Sequence, residues 1–132
     1  MKYLLDTHTF LWSLFSPENL SIKSSDIIEA AENEIYISMI TFWKISLKYN
    51  IGKIDLENVQ PEEFPDLAKK SGFEIFNLNE YDVSSFHKLP RYSHKDPFDR
   101  LLIWQAIQNN LIVISRDNNF KEYKSHGLSL LW

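Results

Sequence analysis

Apolar residues in this chain come in short runs, separated by longer segments whose apolar positions recur at helical spacing. Met1 to Leu5 reads as a strand and Thr7 to Phe15 as a helix. Ser24-Ser25-Asp26 can cap a helix that runs to about Asn33. Glu34 to Ser38 reads as a strand, with Ile35 and Ile37 as its apolar positions. Ile40 to Tyr49 is apolar all round a helix that stops near Gly52. Pro61 starts another helix, which Gly72 ends, and Phe73 to Phe76 is a short strand. Tyr81 to Lys88 is weakly helical. Pro97 opens the most apolar helix, which ends near Asn109-Asn110; Leu111 to Ile114 follows as a strand. Leu128 to Leu131 reads as a last, edge strand. Short strands alternating with helices predict an α/β fold built on a parallel sheet with right-handed crossovers. With no internal repeat or linker, residues 1–132 are expected to form one domain.

Acids stand where the strands stop. Asp6 follows the first strand at once, Ser115-Arg116-Asp117 follows Leu111 to Ile114, and Asp96-Pro97-Phe98-Asp99 opens the apolar helix. In open parallel sheets ligands bind beyond the carboxyl ends of the strands. Carboxylates gathered there need a cation or donors to compensate them, and a divalent metal is the simplest compensation. The pattern therefore points to metal-dependent phosphoryl chemistry.

Each acid also has a local structural explanation. Asp6 could cap the helix after it, although Thr7 or Thr9 could do so and leave Asp6 free. Asp96 is an apt N-cap, with Pro97 at the first helical position. Asp99, on the first turn of a helix apolar nearly all round, is expected to face the sheet end. Asp117 could cap the turn at Asn118-Asn119-Phe120, and Ser115 could serve a metal, a phosphate or the turn itself. His8 reads as a helix-start residue. Lys88, Arg91, His94, Lys95 and Arg100 form either a solvated loop or a phosphate-positioning patch. Trp12, Trp43 and Trp104 read as core or interface residues.

Composition narrows this picture. The balance of 14 basic and 18 acidic residues gives −4, so nucleic-acid binding would need a local basic patch or a metal. A hydrophobic share of 44% and an aromatic share of 14% suit a compact core. With no cysteine there is neither a disulfide nor a thiolate zinc site, which suits the reducing cytoplasm. No apolar run is long enough to span a bilayer, and MKYLLD is too short a run for a secretory signal.

The chain resembles PIN domains, specifically the VapC-like toxins of type II toxin–antitoxin pairs. The resemblance lies in Leu4-Leu5-Asp6-Thr7-His8 with Leu11-Trp12, in Ser38 through Lys53, in Lys95 through Ala106 (KDPFDRLLIWQA), and in Ile114-Ser115-Arg116-Asp117 with Phe120. It implies a three-layer α/β/α sandwich around a parallel sheet of four to five strands. It also implies Mg²⁺- or Mn²⁺-dependent endoribonuclease activity, a cognate antitoxin and a homodimer. Carried over by position, Asp6, Asp99 and Asp117 would be the catalytic, metal-holding acids, with Asp96 a motif residue. Such a metal would lower the pKa of a bound water for attack on phosphorus in single-stranded or looped RNA.

One position departs from the family pattern. Where that pattern has Trp-Glu, this chain has Trp43-Lys44. An ammonium about 4 Å from a carboxylate gains roughly 4 kcal/mol at an effective dielectric of 20. Lys44 could thus stand in for the metal, or extend its long stem to solvent and leave a three-acid site. The first case makes the chain a catalytically silent module that still binds antitoxin or RNA. A phosphotransfer domain with Asp6 as nucleophile is a third reading, weakened by the absence of a second Asp at Asp6-Thr7-His8.

Overall fold

A computed structural model describes residues 1–92 and 95–132. Five strands, β1 (Lys2–Leu5), β2 (Glu34–Ser38), β3 (Glu74–Phe76), β4 (Ile112–Ile114) and β5 (Ser129–Leu131), form one sheet. Its order is β3-β2-β1-β4-β5 and every pairing is parallel. The chain lays strands outward from β1 to β3, then crosses back to β4 on the other side. The strand order therefore reverses between β1 and β4, which is where open sheets of this kind bind ligands.

Helices α1 (Thr7–Phe15), α2 (Ile22–Glu29), α3 (Met39–Asn50), α4 (Phe64–Lys70), α5 (Glu80–Ser84) and α6 (Pro97–Asn109) connect the strands. Adjacent strand residues point to opposite faces, so Leu4 enters one apolar cluster and Tyr3 and Leu5 the other. Leu102, Ile103 and Ala106 of α6 cover the first face, and Phe10 of α1 with Phe64 and Ala68 of α4 cover the second. Helix α3 serves both, with Ile40 in one cluster and Ile45 in the other. The result is an α/β fold of three layers, as expected.

Four stretches differ from the expected ones. Ser21 caps α2, its hydroxyl accepting from the Ser24 amide, so the helix starts before Ser24 and stops at Glu29. Helix α4 is preceded by a 3₁₀ turn, Pro61–Glu63, and the weak helix after Tyr81 divides into α5 and a 3₁₀ turn, Phe86–Lys88. Asn118–His126 is a 3₁₀ run where no element beyond a capped turn was expected; it ends at Gly127, whose φ of 99° suits a residue without a Cβ. Among the described residues no helix is long and apolar enough to cross a membrane.

Candidate functional site

Asp6 lies at the switch point, one residue beyond β1, and is buried. Contrary to expectation, neither Thr7 nor Thr9 relieves it of capping. Thr9 donates its hydroxyl to the Ile114 carbonyl at 3.1 Å, and Asp6 itself caps α1, Oδ1 accepting from the Thr9 amide at 2.9 Å. A carboxylate has two oxygens, so capping does not exhaust it. Oδ2 accepts from the Ser115 hydroxyl at 2.5 Å. Burial pushes the Asp6 carboxyl above its ordinary pKa; the Ser115 and Thr9 bonds oppose that, and the charge of Asp99 adds to it.

Ser115 joins two acids. While donating to Asp6 it accepts from the Asp117 amide at 3.0 Å. Asp117 in turn caps the 3₁₀ run, accepting from the Asn119 amide at 2.9 Å. Asp6 and Asp117 line a cleft of about 290 Å³ together with His8, Trp12 and Arg116.

Asp96 and Asp99 form the other half of the site. Asp96 caps α6, accepting from the Phe98 and Asp99 amides at 2.8 and 3.3 Å. The Lys44 ammonium stands 3.0 Å from Asp96 Oδ2 and 3.0 Å from Asp99 Oδ1. Lys44 is only 8% exposed, so it does not carry its charge out to solvent. Burial acts to lower its pKa and to raise that of Asp96. The mutual attraction outweighs burial in both: Lys44, drawn chiefly by Asp99, is held above its ordinary value, and Asp96 below its own. Asp99, Asp96 and Lys44 line a second cleft of about 370 Å³, and His8 lies on its wall as well. Ser38, the cap of α3, donates to Gln105 of α6 at 2.7 Å, which fixes the two helices that bring Lys44 and Asp99 together.

All three acids marked from the sequence therefore stand at the carboxyl end of the sheet. They do not, as arranged, form a donor set that fits a divalent cation. Among the described residues no three carboxylate or imidazole groups are placed to share one ion, and Lys44 already supplies the positive charge between Asp96 and Asp99. The arrangement compensates its carboxylates with an ammonium, the Ser115 hydroxyl and backbone amides.

Arg100 belongs to the structure and not to a phosphate patch. It is buried, its guanidinium lies 4.8 Å from the Phe86 ring centre, and it donates to the Leu89 carbonyl at 3.2 Å. The hydrophobic stem and the aromatic partner draw it inward. Lys88, Arg91 and Lys95 are exposed, and His94 lies outside the described residues. Trp104 is a core residue whose indole donates to Ser85 at 3.0 Å. The sequence reading missed Trp12 and His8 as site residues, although four-residue spacing on α1 puts them on one helix face.

The PIN domain family model matches residues 3–125. No curated protein matches the chain. Among solved structures, VapBC2 from Rickettsia felis bound to a DNA fragment from their promoter is similar at a TM-score of 0.69 and 20% identity, covering 99% of this chain and 98% of that one. VapBC-1 from nontypeable Haemophilus influenzae is similar at 0.66 and 16%, covering 99% and 97%. DNA-bound VapBC from Salmonella typhimurium is similar at 0.59 and 20%, again covering 99% and 97%. At these identities the likeness carries the fold, while the family model spans nearly the whole sequence. The chain belongs to the PIN domain family.

Proposed function

We propose that this chain is a VapC-like toxin component directed at RNA, a ribonuclease by descent, with its hydrolytic centre closed by Lys44. The observation that carries this reading is the ammonium 3.0 Å from both Asp96 and Asp99, at the position where the family pattern has a glutamate. Lys44 would hold these acids in place of a metal, whose chemistry, when bound, would be to lower the pKa of a water for attack on phosphorus. What remains is a cleft at the switch point, held in shape by Ser115 and Thr9. Its partners are a cognate antitoxin, for which the VapBC assemblies among the similar structures are the support, and a second copy of the chain.

A second reading is an active Mg²⁺- or Mn²⁺-dependent endoribonuclease, with Asp6, Asp99 and Asp117 as its acids. It is favoured by the position of Lys44 on the wall of an open cleft, from which a flexible stem can swing. One experiment separates the two. A labelled RNA pool is incubated with Mg²⁺ or Mn²⁺, and with chelator, using the native chain and Lys44→Glu. Cleavage by Lys44→Glu alone is the expected result. Metal-dependent cleavage by the native chain would establish the second reading instead.

A further inference from the structure

Trp12 has no place in either apolar cluster, yet it is half-buried beside the acids. His8 lies tilted against its ring at 5.8 Å and Trp132 meets it edge-on at 5.9 Å. The cleft that Trp12 lines is bordered by Arg116. Arg116 and Asp117 are shared with an adjoining cleft of about 310 Å³, which Lys121, Lys124 and Trp132 also line. Arg116, Lys121 and Lys124 are exposed, and among the described residues none is held in a salt bridge. In a protein of net charge −4, this is a local concentration of cations next to aromatic faces.

That pairing is the recognition chemistry of an unpaired nucleotide, where bases stack on aromatic rings and cations follow the backbone. We propose that Trp12, supported by His8 and Trp132, is a stacking platform for a base of single-stranded RNA, with Arg116, Lys121 and Lys124 holding the adjoining phosphates. The site rests on the RNA reading above, but it requires neither cleavage nor metal. A duplex, whose bases face each other, cannot use it. A protein strand could cover the same rings, but the three cations border them where a phosphodiester backbone would run.

The test is binding with chelator present, read by anisotropy of a labelled ten-nucleotide oligouridylate, with inorganic polyphosphate as a base-free probe. Trp12→Ala should weaken oligouridylate binding about tenfold while leaving polyphosphate binding unchanged, and Trp12→Phe should restore most of the loss. Lys121→Gln with Lys124→Gln should weaken both probes. Circular dichroism confirms that each variant is folded. Oligouridylate binding that Trp12→Ala leaves intact overturns the platform and spares the RNA reading, leaving the rings for a protein partner. A native chain that binds no oligouridylate overturns both.

Discussion

Lys44 pairs with both Asp96 and Asp99, two acids that would otherwise stand near each other without that positive charge. Removing its charge while keeping its length, as in Lys44→Met, leaves Asp96 and Asp99 without their cation and should cost about 2–3 kcal/mol in chemical denaturation. Lys44→Glu should lower the melting temperature further in chelator and recover on addition of Mn²⁺, whereas the native melting temperature should not respond to the metal. Asp6 acts in the opposite sense. Its folded pKa is raised above 3.8, so its ionised form opposes folding at neutral pH and its protonated form does not. Asp6→Asn keeps an oxygen for the Thr9 amide but loses the acceptor of the Ser115 hydroxyl, so its stability relative to the native chain should fall as pH drops through the folded pKa of Asp6 and level off below 3.8, read by chemical denaturation across pH. Part of this was readable from residue types alone, an acid directly after an apolar strand, whereas Lys44 stood out only through the resemblance to a family pattern with a glutamate there. The double use of Asp6 was not, because its hydroxyl partner Ser115 lies 109 residues away and only the sheet brings the two together.

At the scale of elements, the caps decide where chemistry-bearing side chains stand. Asp6, Asp96 and Asp117 each cap the element they precede, and each also faces a cleft. Asp96 allows the two roles to be separated. Asp96→Asn keeps the acceptor for the first turn of α6 and loses only the ion pair, while Asp96→Ala loses both and should cost about 1 kcal/mol more. The pair has a defined pH window. Asp96, with its folded pKa below 3.8, contributes fully above that value and loses its contribution as pH falls through the folded pKa. Lys44, with its folded pKa above 10.5, contributes fully below that value and loses its contribution as pH rises through the folded pKa. Between about pH 5 and pH 9, the stability difference between native chain and Lys44→Met should therefore stay constant. The strands and long helices were legible because alternation and caps agree there. The start of α2 was not, because Ser21, Ser24 and Ser25 all compete to cap it and only Ser21 has the extended backbone of a cap. Arg100 misled for a related reason, since charge in the sequence does not reveal that Phe86 waits inside to receive it.

At the scale of the molecule, the exposed apolar surface is concentrated. Met39, Trp43 and Leu47 rise along α3 at four-residue spacing, with Val83 of α5 nearby across a groove that Phe86, Pro97, Phe98 and Leu101 complete. Apolar surface gathered in this way is typical of faces that meet another chain. We assign it to the proposed homodimer: light scattering should find a dimer for the native chain and a monomer for Trp43→Arg, with the melting temperature little changed because Trp43 is 59% exposed. Retention of the dimer by that variant would place the second copy elsewhere. The order of the sheet has a consequence for how the protein comes into being. Of the five strands the central one is made before the others and its neighbour β4 fourth, so Asp6 leaves the ribosome long before Ser115 and Asp117 exist to meet it. While the 109 residues from Asp6 to Ser115 are being made, the growing chain carries one bank of the cleft without the other, and any fragment released before β4 lacks the switch point altogether.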